Sequence, residues 1–219
     1  MANITAAMEK ELREMTGAGM MAIALLLGSC DDKAKLAEAV QGEWTGNPEK
    51  ILDTGAANAS MVRVLEFTPG STPTEGNVTM TAMITVENTM PFNDSIVTPL
   101  QISASGTATI TGVYQAKDDD ELLISLDVTS MSVSVDPDAV ALNYNVLTEN
   151  SAASVDQLKP GATVLATQQI NRAAQNAFSN ITQIDDIRIR GNVMSCDINK
   201  HDLVFSKVSG VSVLPGKSN

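Results

Sequence analysis

The stretch from Asn77 to Glu87 decides more about this chain than any other, because its side chains alternate without a break. Val78, Met80, Ala82, Ile84 and Val86 fall on one side, and Thr79, Thr81, Thr85 and Glu87 on the other. A period of two marks a strand with one buried and one wet face, which antiparallel sheets have and buried parallel sheets lack. Leu100 to Gln115 repeats the pattern: Leu100, Ile102, Ala104, Gly106, Ala108, Ile110, Gly112 and Tyr114 face one way, opposite positions rich in Ser and Thr. Sixteen residues is long for one strand, so the expectation is a strongly bent strand, or two strands broken near Ser105-Gly106.

The same reading extends along the chain. Met61 to Thr68 is a β-branched, apolar strand closed by Pro69-Gly70. Lys117-Asp118-Asp119-Asp120 reads as a hairpin tip leading into a long strand from Glu121 to Val135. Its apolar phase runs on Leu122, Ile124, Leu126 and Val128, then moves to Met131, Val133 and Val135, which predicts a bulge near Ser130. Leu142 to Val146 adds a short strand, and Asn150 to Gly161 is a polar connection. Between Thr163 and Phe178 the period changes: Ala166, Ile170, Ala173, Ala177 and then Ile181 are three or four apart, which predicts a helix at about 163–180. Ile187 to Ile189, Val193 to Ile198 and Leu203 to Phe205, joined by turns at Gly191-Asn192 and Asn199 to Asp202, make a closing meander. The fold class is therefore all-β with one helix, in a single domain from 41 to 214.

Composition narrows the chemistry. The 219 residues carry 14 Lys and Arg against 26 Asp and Glu, a net charge of −12, with no basic cluster to meet phosphates, so nucleic acid is excluded as a partner. Only 3% of residues are aromatic and there is one His, which removes most stacking platforms and most histidine metal chemistry.

The amino terminus carries a separate signal. Ala18 to Leu27 is an uncharged, mostly apolar run of ten residues, the size of a signal-peptide h-region and well short of the roughly 20 residues that span a bilayer. It ends in Leu27-Gly28-Ser29-Cys30, which resembles the bacterial lipobox. That resemblance implies a signal peptide over 1–29, cleavage before Cys30, and a lipidated Cys30 that becomes the new amino terminus. Acyl chains at about 0.8 kcal/mol per buried CH₂ then hold the protein on a membrane. Glu9-Lys10-Glu11-Leu12-Arg13-Glu14 departs from the basic n-region such segments carry, which an early start codon, with Met8 or Met15 as the true start, would explain. Asp31-Asp32 resembles both the surface-export signal and the inner-membrane retention signal of Gram-negative lipoproteins, and is also what a solvated linker would contain. The expected location is the cell envelope, as an outer-membrane lipoprotein exposed or not at the surface. Residues 30–40 form the lipidated cysteine and a tether, or one or two helical turns.

Gly42-Glu43-Trp44, which contains the only Trp, resembles the Gly-x-Trp of lipocalins and their calycin relatives, and the wider layout is similar to lipocalin-like lipoproteins of Gram-negative gut anaerobes. The resemblance implies an antiparallel meander closed into a barrel or half-barrel with a packed helix. The chain departs from true lipocalins in placing about three strands after its helix, where they place one.

Candidate chemistry is sparse. Asp118 to Glu121 lacks the spacing of a calcium loop and reads as a solvated tip. Cys196 falls on the apolar phase with Met194 and Ile198, whereas His201 sits in a turn, so the two do not form a dyad. No catalytic residue, metal site or cofactor is expected, and the protein is read as not an enzyme. Ala104, Gly106, Ala108 and Gly112 are small residues on the inward face, and either the helix or a bound apolar molecule must fill the volume they leave. The expected function is a non-catalytic binding module for a small apolar or amphipathic ligand, lined by Trp44, Met80, Ala82, Ile84, Ala108, Ile110 and Met131. The alternative is a structural or partner-binding surface lipoprotein with a filled barrel.

Overall fold

The computed structural model describes residues 32–54, 56–90, 100–135, 137–143 and 157–208. A helix, α1, spans 32–39. It is followed by strands β1 (Gly42–Gly46), β2 (Glu49–Thr54), β3 (Ala57–Pro69), β4 (Glu75–Met90) and β5 (Leu100–Ala116). Three short strands come next, β6 (Leu122–Leu126), β7 (Ser132–Val135) and β8 (Ala141–Asn143). Helix α2 (Lys159–Phe178) precedes β9 (Gln183–Arg190), β10 (Val193–Ile198) and β11 (His201–Lys207).

Every described pairing is antiparallel, and the sheet closes on itself. From β1 the path runs through β11, β10, β9, β6, β5, β4 and β3, and β3 pairs β1 again. The result is an eight-strand antiparallel barrel in which β2 continues β1 along β3, and β7 and β8 continue β6 along β5. Closure removes most of the sheet edge that would otherwise recruit other chains, leaving one side of β2 that no described strand pairs. The inward face is the alternating one: Val78, Met80, Ala82, Ile84 and Val86 are buried, as are Ile102, Ala104, Ala108, Ile110 and Tyr114 opposite them.

Several expectations are refined here. Leu100 to Ala116 is one continuous strand, paired along its whole length with β4. The interruptions fall on its other neighbour, which is chopped into three. The phase slip near Ser130 is a 3-10 turn over Val128–Ser130 rather than a bulge: Asp127 accepts hydrogen bonds from the Thr129 amide and hydroxyl, and Ser130 Oγ accepts from the Thr111 amide. β8 ends at Asn143, and 144–146 lie outside the described residues. The main helix runs Lys159–Phe178, starting four residues earlier than periodicity suggests because Pro160 suits a first helical turn, where no amide hydrogen is needed. β2 has no alternation to betray it, since nearly all of it is exposed. Asp185 and Asp186 lie within β9, Asp186 at φ 52.

Both barrel ends are covered. α1 is helical and docked, not a free tether: Leu36, Ala37 and Val40 are buried, the Trp44 indole Nε1 donates to the Val40 carbonyl at 2.6 Å, and Tyr114 Oη donates to the Ala37 carbonyl at 3.3 Å. Phe67 meets Tyr114 edge-on at 5.4 Å beneath it. At the other end α2 lies across the mouth. A Cβ on the inward-facing Gly106 would come within 3.1 Å of Ile170 Cδ1, Asn88 bonds Gln169, and Arg63 reaches the Ala177 carbonyl. Ala162, Ala166, Ile170, Ala174, Ala177 and Phe178 form its buried stripe. The small residues of β5 are thus partly explained by the helix at Gly106, and at Gly112 by the β6 backbone, whose Ser125 carbonyl lies 2.3 Å from where a Cβ would be.

Candidate functional site, a split in the barrel wall

The site follows from one break in a strand. β1 pairs β11 through Trp44↔Lys207, Thr45↔Ser206 and Gly46↔Phe205, and the Asn47 amide still donates to the Val204 carbonyl. Pro48 has no amide hydrogen to continue the ladder. Beyond it the chain shifts register at Ile51 as it runs along β3, and no pairing joins β2 to β11 among the described residues. The wall therefore splits, and a cleft of about 870 Å³ opens between β2, the start of β11 and the last two turns of α2, with β3 and the end of β4 as its floor.

The walls differ in chemistry. Ile51 and Leu52 are 37% and 45% exposed, and together with Ala59, Met61, Val86 and Leu203 they give the cleft an aliphatic side. No Phe, Tyr or Trp lines it. The polar side contains four Lys or Arg residues, Lys50, Arg63, Arg172 and Lys200, against two carboxylates, Glu49 and Asp202.

Two of these cations have intramolecular roles. Arg63 shares the inward face of β3 with Met61 and Leu65, donates from Nε to Glu49 at 2.9 Å and from Nη1 to the Ala177 carbonyl at 2.9 Å. It ties β2 to β3 and neutralises the carbonyl end of α2, where a positive charge is favoured. Lys50 pairs with Asp53. Arg172 and Lys200 have no ion-pair partner among the described residues.

The β10–β11 turn brings Lys200 and His201 to the rim. Asn199 and Lys200 both have left-handed backbone, at φ 55 and 65, and the Asn199 side-chain Nδ2 donates to the Ser179 carbonyl at the end of α2. Asp202 shares its strand face with exposed Val204, opposite that of buried Phe205.

The residues expected to line a ligand lie elsewhere. Trp44, Met80, Ala82, Ile84, Ala108 and Ile110 are each 2% exposed or less, and Met131 packs half-buried against the same core. None borders the cleft. Leu27, Gly28, Ser29 and Cys30 lie outside the described residues. Cys196 is buried, and burial pushes its thiol up to about 12, with Asp197 adding to and Arg63 opposing the rise. No group of three or more His, Cys, Asp or Glu among the described residues is placed to hold a metal, and no described helix is long and apolar enough to cross a membrane.

No protein-family model matches the chain, and no curated protein or solved structure matches it either.

Proposed function

We propose that this protein is a lipid-anchored envelope protein whose barrel is a non-catalytic binding module for a small amphipathic molecule held in the cleft between β2, β11 and α2. The observation that carries the binding reading is the cleft: about 870 Å³ falls within the range of small-molecule sites, roughly 300–1,000 Å³, and it joins an aliphatic wall to a polar rim. The lipocalin-like reading draws on the eight-strand barrel with Trp44 buried near one end. The non-catalytic reading draws on Cys196, whose thiol stays protonated at neutral pH, and on His201, whose side chain has no hydrogen-bonded carboxylate or nucleophile among the described residues. Anchoring draws on Leu27-Gly28-Ser29-Cys30 alone.

Mass spectrometry of the protein purified from membranes tests both parts. A chain beginning at an acylated Cys30, with a co-purified amphiphile, is the expected result. An unmodified chain that still carries residues 1–29 overturns the anchor. Loss of the co-purified molecule in Ala173→Trp, which fills the cleft, locates the site, and its retention moves the site elsewhere.

A partner-binding role with a filled barrel is the second reading. It draws on the packed interior and on the side of β2 that no described strand pairs. It requires that no amphiphile binds and that a partner strand adds to β2.

A further inference from the structure

We infer that the ligand of this cleft is an anionic amphiphile, a single aliphatic chain ending in a carboxylate or phosphate, with its head on Arg172 and Lys200 and its chain along Ile51 and Leu52. The inference rests on the cleft-binding reading and adds the charge and shape of the ligand.

Charge comes first. The whole chain is −12, yet the cleft collects four basic against two acidic side chains, a formal +2. Arg63 and Lys50 are already matched by Glu49 and Asp53. Asp202 also lines the cleft, but it makes no ion pair among the described residues and lies across from Asp197 on β10. That leaves Arg172 and Lys200 as the unmatched cations at the rim, with His201 beside them. An acidic protein that concentrates unmatched cations at one opening attracts anions there and repels them elsewhere.

Backbone geometry makes Lys200 stand out. It occupies the second position of a two-residue turn at φ 65, where glycine is the unstrained choice and an L side chain is strained. Asn199 anchors this turn to the end of α2, and the strained position is one that lines the cleft. The tail follows from the opposite wall. Ile51 and Leu52 are large, exposed and adjacent, and with no Phe, Tyr or Trp at hand the wall suits an alkyl chain better than a sugar or a flat ring.

Titration calorimetry with decanoate, decyl phosphate, decanol and decyltrimethylammonium, each below its micelle concentration, separates the possibilities. The expected result is 1:1 binding of both anions, at least about tenfold tighter than the alcohol or the cation, weakening as salt rises from 50 to 500 mM. Arg172→Gln and Lys200→Gly should each weaken decanoate by about three- to tenfold and leave decanol unchanged. Lys200→Gly also relieves the backbone strain, so its melting temperature should hold or rise while affinity falls, which a folding defect cannot mimic. Equal binding of anion, alcohol and cation overturns the anionic head but keeps the cleft as a site. Binding of none of the four overturns the cleft-binding reading itself. Binding to phosphatidylglycerol vesicles without binding to monomeric anions overturns the inference in favour of a membrane surface.

Discussion

Arg63 is the side chain on which the split end of the barrel most depends, and truncating it tests that directly. Its side chain is 13% exposed and that of its partner Glu49 21% exposed, and the two meet at 2.9 Å. Two such charges about 4 Å apart attract by about 4 kcal/mol at an effective dielectric near 20. Desolvation of both ions takes back most of that, so the pair itself adds little net stability. Removing one partner is a different matter, because the other stays desolvated and unmatched. A fully buried pair loses about 3–5 kcal/mol on such truncation. The cleft admits water to Glu49 and to the Ala177 carbonyl, which lowers the figure, so Arg63→Ala should cost about 2–3 kcal/mol. Glu49→Gln together with Arg63→Met, which removes both charges and keeps the stem, should cost about 1 kcal/mol or less. Urea unfolding of the single and double variants measures both, and amide exchange should speed up in the last turn of α2. A loss under about 1 kcal/mol for Arg63→Ala, or strictly additive single variants, would show that the ion pair does not hold the helix end.

Four further outcomes follow from the packing. Gly106→Ala would place Cβ 2.9 Å from the Ser134 carbonyl oxygen and 3.1 Å from Ile170, so it should cost about 1–3 kcal/mol, whereas Gly161→Ala, in open space, should cost nothing measurable by thermal melting. Replacing both Leu36 and Val40 by Ala undocks α1 at a cost of about 2–5 kcal/mol; it should also shift Trp44 fluorescence to the red, and unchanged emission would mean that α1 does not cover the indole. Cys196, raised from 9.0 to about 12, and Tyr114, also raised by burial, bind protons more tightly folded than unfolded. Stability is then full below pH 9 and falls above it, by up to about 1.4 kcal/mol per pH unit for Cys196, and melting temperatures that stay flat to pH 11 would contradict this. Asp197 faces Asp202 on one neighbouring strand and Asp185 on the other, so Asp197→Asn should gain about 0.2–1 kcal/mol, more at low salt, in chemical denaturation.

What the sequence disclosed depended on how each element earns its stability. β4 and β5 were legible because half their side chains face the core and half face water, and that difference is written at every second residue. α1 was legible only as one of two alternatives, a tether or a turn or two of helix, because a helix this short is marginal alone; docking decides it, and of its two polar contacts the one to Trp44 is local while the one to Tyr114 reaches far along the chain. The slip at Ser130 was readable as a change of phase, but a bulge and a 3-10 turn shift phase alike, and only the Asp127 and Ser130 hydrogen bonds choose between them. At the site, Arg63 did carry a signal, a charge in phase with Met61 and Leu65. Lys200 carried none, since an Asn-Lys pair does not announce two left-handed residues.

The two ends of the barrel differ in a way that bears on the proposed anchor. Trp44, Phe67 and Tyr114 cluster at the α1 end, together with the turns after β3 and β5 and the Asp118 to Glu121 tip. The cleft, the β2–β3 turn and the β10–β11 turn lie at the opposite end, because the strands that begin at one end finish at the other. Cys30 precedes the first described residue of α1 by two positions, and α1 is docked on the barrel, so a lipid on that cysteine would lie near the α1 end. On the anchored reading the barrel therefore stands on its α1 end with the cleft facing away from the bilayer. A cleft in that position would draw its ligand from the aqueous side of the membrane rather than from the leaflet that holds the lipid.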